Sequence, residues 1–182
     1  MKGFTGLVAA AMVCGCHTVA SIKPNRAELP FESLRAVALE IEQAVQSGNR
    51  TPEITDRDGI VASSELVRQA IRTRAARAEL VNAFRDTGHG IEKRDGLLYI
   101  QRSKEYSKAK TRKERNRDAL VVLSENDDRW TIYETLQREG KFGRGSLDTI
   151  RAVFHEARVA CMPNGQKYED PSGNEAVTGQ SL

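Results

Sequence analysis

Few side chains in this chain could form or break a covalent bond. Three thiols stand at Cys14, Cys16 and Cys161, the first two within the run Val13-Cys14-Gly15-Cys16. A thiol flanked by small residues at the end of an apolar stretch is a candidate for alkylation, which needs access and no general base beside it. The other chemistries find no footing. One thiol beyond residue 16, with His89 and His155, does not make a metal-ligand spacing, and neither a Gly-x-Ser-x-Gly elbow nor a His-Glu-x-x-His helix occurs. The carboxylates lie dispersed among basic residues, so no acid–base pair can be singled out. No catalytic residue, metal or cofactor is assigned.

Lys2 is followed by an uncharged stretch from Gly3 to Cys16 with an apolar centre from Leu7 to Val13, the layout of a signal segment. Helix rises about 1.5 Å per residue, so it is too short for a hydrocarbon layer of about 30 Å. Simple cleavage at a small residue is one reading of its end. The other is lipoprotein processing, since the run resembles the bacterial lipobox, with Val13 three positions and Gly15 one position before Cys16. Cys14 fits less well because Val13 would then stand at the cut. Palmitate-type acyl chains on Cys16 would add about 0.8 kcal/mol of membrane affinity per buried CH₂. His17, not Asp, follows the anchor, which resembles sorting to the outer membrane, with the protein facing the periplasm of the cell envelope. With Cys14 removed and Cys16 acylated, no intramolecular disulfide can form.

The strongest charge feature is residues 102–117, with eight Lys or Arg against two Glu. A solvated helix start is one reading. Contact with anionic lipid through Lys108, Lys110, Arg112 and Lys113 is the other. Export argues against a nucleic-acid partner, and a net charge of +3 with 5% aromatics points instead to a modest aliphatic core under wide solvated faces.

These residues must be positioned by helices. Residues 1–15 read as signal peptide, 16–30 as lipidated Cys and tether, 31–170 as one mainly α domain of about four helices with a short β-hairpin, and 171–182 as a disordered tail. Leu34, Val37, Ala38, Ile41 and Val45 share one helix face that ends near Gly48. Ser63 or Ser64 is placed to cap a second helix running to about Asp86, with Val67, Ala70, Ile71, Ala78 and Val81 on its stripe. Arg74 interrupts that stripe and must snorkel or pair with a carboxylate. Asp95-Gly96 predicts a two-residue type I′ turn before a strand at Leu97 to Ile100. A third helix carries Ala119, Val122, Leu123, Asn126, Trp130 and Tyr133 on one face and is predicted to run unbroken through Glu125 to Asp128. Gly140, Gly143 and Gly145 form a loop rather than a phosphate cradle, and Ser146 is predicted to cap a fourth helix with Leu147, Ile150, Phe154, Ala157 and Cys161 facing the core. His155 lies about 240° around that helix from Cys161, so the two make no nucleophile–base pair. Met162 to Tyr168 reads as a turn and a short extended piece.

From about Ala78 to Gly173 the chain resembles the YdbL-like family of small exported bacterial proteins. The resemblance is carried in order by Gly88 and Gly90, Asp95-Gly96-Leu97-Leu98, a helix with Asn126, Arg129, Tyr133 and Leu136, the run Leu147-Asp148-Thr149-Ile150, and Pro163, Gly165 and Tyr168. It departs from the family in its first helix and anchor, in Asp at the turn where Asn is usual, and in Glu175 and Ala176 where a closing aromatic is expected. The resemblance implies a mostly helical periplasmic protein that assists envelope proteins in lipid trafficking and has no catalytic residues to transfer. Asn126, Arg129 and Tyr133 share one helix surface and are the candidate partner-binding set; fixing helix packing is the competing role. The expectation is therefore a non-enzymatic, membrane-anchored adaptor or assembly factor with an envelope protein as partner. The alternatives are an envelope enzyme acting on lipid or cell wall, and direct binding of anionic lipid.

Overall fold

The computed structural model describes residues 28–179. The signal segment, Cys16 and most of the expected tether lie outside the described residues. The element order is α1 (Phe31–Gln46), α2 (Glu65–Asp86), β1 (Gly90–Glu92), β2 (Leu98–Ile100), α3 (Lys104–Ala109), α4 (Arg112–Glu139), α5 (Ser146–Cys161), β3 (Lys167–Glu169) and β4 (Glu175–Val177). The protein is mainly α, and among the described residues no helix is long and apolar enough to cross a membrane.

Three of the apolar stripes predicted from periodicity become the core. Leu34, Val37, Ala38 and Ile41 of α1, Val67, Ala70 and Ile71 of α2, and Ile150, Phe154 and Ala157 of α5 join one buried cluster, which also takes in Val153 of α5 and Ile132, Tyr133 and Leu136 of α4. Each fully buried Leu, Ile or Phe contributes about 1.5–3 kcal/mol, so this cluster supplies the main cohesion of the helices. A smaller cluster of Val81, Phe84, Leu98 and Tyr106 seats the strands and α3 on α2. Gly90 permits that seating, because a Cβ there would meet the Phe84 ring at 2.9 Å.

The hairpin differs from the predicted one. Gly96 N donates to Lys93 O at 2.9 Å and Lys93 N to Leu97 O at 2.9 Å, so the loop has three residues, Arg94-Asp95-Gly96. Gly96 alone among them has positive φ, at 81°, the left-handed bulge position of a three-residue hairpin rather than a type I′ centre. The sheet is also larger than a hairpin. Its order is β2-β1-β3-β4, with β1 and β3 parallel and both outer pairs antiparallel. The expected fraying after Asp170 is corrected by β4, which pairs Glu175 with Glu169 and Val177 with Lys167. A two-stranded hairpin is marginal alone; here each hairpin completes the other.

Helix boundaries shift where local chemistry competes with the apolar pattern. The helix predicted as the third starts inside the basic segment. Thr111 and Glu114 form a reciprocal capping box, with Glu114 N donating to Thr111 Oγ1 at 3.3 Å and Thr111 N to Glu114 Oε2 at 2.7 Å. From there α4 runs unbroken through Glu125 to Asp128, as expected. Ser146 is the first helical residue of α5, not its cap, and its hydroxyl donates back to Gly143 O at 2.7 Å. Ser64 stands before α2 but donates to Glu139 Oε1 at 3.0 Å instead of accepting from the helix.

Candidate functional site

Four helices and one strand each send charged side chains inward to the same place. Glu42 comes from α1, Arg74 and Arg85 from α2, Glu92 from β1, Glu125 and Arg129 from α4, and Arg158 from α5, and none is more than 5% exposed. Arg74 holds Glu42 through two bonds of 3.0 and 2.9 Å and reaches Glu125 through Nε at 2.9 Å. Arg129 holds Glu92 through two bonds of 2.7 and 2.9 Å and also reaches Glu125 through Nε at 2.9 Å. Arg158 closes the chain on Glu42 at 2.9 Å, and Arg85 lies 3.4 Å from Glu92. The forked geometry of guanidinium suits such paired contacts to carboxylates.

Four guanidiniums face three carboxylates here, and neutral oxygens take up part of the remaining donors, while Arg85 Nε, near Glu92, makes no hydrogen bond. The Gly96 carbonyl accepts from Tyr133 Oη at 2.9 Å, Arg158 Nη1 at 3.2 Å and Arg129 Nη1 at 3.3 Å. Gln166 Oε1 accepts from Arg85 Nη1 at 3.2 Å. The network reaches the surface through Arg77, which joins Glu125 at 3.2 Å to the half-buried Asp128 at 2.9 Å, and through Gln166, whose Nε2 donates to the exposed Asp86 at 2.7 Å.

Burial alone would raise each carboxylate's pKa, but the arginines outweigh it. Glu125 is held at about 2 by Arg74 and Arg129. Glu42 and Glu92 lie below the usual carboxylate range for the same reason, through Arg158 and Arg74 in one case and Arg129 and Arg85 in the other. His155 sits beside the network, buried, with Nε2 lacking a hydrogen-bond partner, and desolvation lowers its pKa and favours the neutral ring. A set of carboxylates ionised and fully engaged with arginine has neither a free base nor a proton to give. Its work is to fix five elements against one another.

The candidate partner-binding residues are part of this interior. Asn126 is half-buried, and its amide pairs with the backbone of the edge strand β2: Leu98 N donates to Oδ1 at 2.9 Å and Nδ2 donates to Leu98 O at 2.9 Å. Arg129 and Tyr133 are both 0% exposed and grip Glu92 and the Gly96 carbonyl. The three do share one side of α4, but that side is covered by the hairpin and offers nothing to a partner. The packing role is the one the geometry supports.

This displaces the predicted stripe of α4. Ala119 and Leu123 are exposed, while Glu125, Arg129, Ile132 and Leu136 are buried, a rotation of about a quarter turn. The pattern was misread because the buried side carries charges. Thr111-Arg112-Lys113-Glu114 was a legible capping box that would have placed the helix start. Charges set directly beside stripe residues, as in Ile41-Glu42 and Ala157-Arg158, were the sign of a charged core.

Arg74 pairs with carboxylates, the second of its two predicted roles. Cys161 is only half-buried, not fully in the core, though burial still raises its thiol pKa. Among the proposed lipid-contact residues, Lys108, Arg112 and Lys113 are exposed, whereas Lys110 turns inward to within 3.6 Å of Asp118. Asp118 also accepts from Tyr106 Oη at 3.0 Å, and burial together with that bond pushes Tyr106 up to about 12. A cleft of about 440 Å³ opens between residues 50–55 and α2, lined by Arg50, Arg68, Arg72, Ile54 and Ile71 and separate from the charged core. Among the described residues no group of His, Cys, Asp and Glu is placed to hold a metal ion. Set against models of known protein families, curated proteins and solved structures, the chain matches none.

Proposed function

We propose that this chain is an exported, lipid-anchored protein of the bacterial envelope, an adaptor or assembly factor for proteins that handle envelope lipids, and not an enzyme. The observation that carries this reading is the closed charged core. Seven ionised side chains convergent enough for catalysis are instead paired with one another at less than 6% exposure, which supports recognition by the outer surface over chemistry in the core. The N-terminal run Val13-Cys14-Gly15-Cys16 supports acylation at Cys16 and placement at the outer membrane.

Some of the residues that carry the resemblance to the YdbL-like proteins meet in this structure. Gly96, Leu98, Asn126, Arg129 and Tyr133 are scattered in sequence yet form a single lock of hairpin on α4. Affinity capture of the full chain from detergent-solubilised envelopes tests the reading. A reproducible protein partner is expected; repeated capture of none, or turnover of an envelope lipid by the purified chain, overturns it.

A further inference from the structure

The first three turns of α4 present a face that nothing covers. Leu120 and Leu123, at 64% and 57%, are the most exposed large apolar side chains among the described residues. At 3.6 residues per turn they share an arc of about 140° with Arg112, Lys113, Asn116 and Arg117. All six are exposed, and the three cations have no ion pair among the described residues. The neighbouring cations differ, since Lys110 is drawn to Asp118 at 3.6 Å and Arg115 donates to Lys110 O and to Ser107 O at 3.1 Å. The other acidic group of the segment, Glu114, is held in the cap by Thr111. Asp127 ends the arc one turn beyond Leu123. Leu80 of α2, 43% exposed, adjoins the arc across a shallow groove it shares with Arg117 and Val121.

We propose that this face, Arg112, Lys113, Arg117, Leu120 and Leu123 with Leu80 at its edge, docks on an anionic bilayer surface. A helix lying in the interface needs cations at headgroup height and apolar side chains between them, and the strength of its docking sums the buried apolar area and the attraction to anionic lipid. Both ingredients occur here on one arc, where three cations stand against the single acid Asp127 at its end. A second copy would set like charges against like, and an acidic protein partner would slow exchange without regard to the charge of the vesicle, which the test below separates. The inference rests on the proposed anchor only for proximity: acyl chains at Cys16 keep the domain beside a bilayer, and the α4 face decides which side meets it.

The test is amide hydrogen exchange of residues 112–124 in the full chain reconstituted into vesicles. One vesicle set contains phosphatidylglycerol and the other phosphatidylcholine alone. Exchange in this segment is expected to be at least fivefold slower in the anionic vesicles, and about 0.5 M salt should remove the difference. Each neutralised cation should lower the docked-to-free ratio about fivefold, so Lys113→Gln with Arg117→Gln abolishes the slowing. Leu120→Ser with Leu123→Ser should abolish it too, while Lys104→Gln with Lys108→Gln on α3 should not. Circular dichroism of each variant separates lost docking from lost folding. Equal exchange in both vesicle types overturns the proposal. Slowing that survives the double Gln variant, or that grows with protein density in phosphatidylcholine as self-association would, also overturns it. The Cys16 reading fails separately, on an N-terminal peptide without acyl mass; the same comparison then runs with vesicles added to the free chain.

Discussion

Arg117 and Arg129 lie on one helix, twelve residues apart, and meet opposite fates. Arg129 is 0% exposed and shared between Glu92 and Glu125, while Arg117 stands in water beside Leu120. Residue type and local sequence hardly separate them. What separates them is which side of α4 the hairpin and α2 cover, and the same division holds for Arg74 and Arg158 against Arg112 and Lys113. The buried cations define the interior geometry and the exposed ones remain available to a partner.

The largest test of this division is removal of one buried cation. Arg129→Met should destabilise the fold by roughly 3–5 kcal/mol, because Glu92 and Glu125 would be left buried without it. Urea unfolding followed by the emission of the single Trp130 reads it. A loss below about 1 kcal/mol would show that the network does not couple hairpin to helix. Acid should break the same network and spare the surface cations. The lowered pKa values of Glu42, Glu92 and Glu125 mean that the unfolded chain binds protons first, so the carboxylates' contribution to stability is full above the ordinary carboxylate range and is lost on acidification. Glu125 alone accounts for about 3 kcal/mol between pH 4.5 and about 2, and the lowered pKa of His155 starts the decline below about pH 6.5. Unfolding midpoints that stay level from pH 7 to 3 would contradict this.

A smaller effect belongs to the edge of the buried network. Asn126→Ala strips two bonds from Leu98 and should cost about 1–3 kcal/mol, with exchange of the Leu98 amide rising before that of the core helices. The smallest effect completes the contrast. Lys113→Gln with Arg117→Gln should move stability by no more than about 0.5 kcal/mol, since neither side chain is paired. If that variant instead unfolds as easily as Arg129→Met, the two classes of cation are not distinct.

Much of the helical frame was legible. The stripes of α1, α2 and α5 could be read because apolar residues at helical spacing have only one way to leave water, and Leu34, Ile41, Val67, Ile71, Ile150 and Phe154 are all buried. Arg74 was visible as an interruption that needed a carboxylate. The face of α4 was not legible, because Glu125 and Arg129 count as surface residues until their partners on α1, α2 and β1 are known. The site residues divided likewise: the exposure of Arg112 and Lys113 agreed with their charge, whereas Asn126, Arg129 and Tyr133 proved internal. The pairing of β1 with β3, separated by three helices, also lies beyond local pattern.

By itself the sequence determined the helical class, the apolar stripes of α1, α2 and α5 and the stop glycines, since each rests on interactions within a few residues. It also carries the signal-like run ending at Cys16. Only the tertiary structure decided which charges are interior, because burying an arginine is tolerable only when carboxylates from distant elements arrive at the same point. That decision left Leu120 and Leu123 uncovered beside Arg112, Lys113 and Arg117, which have no ion pair among the described residues.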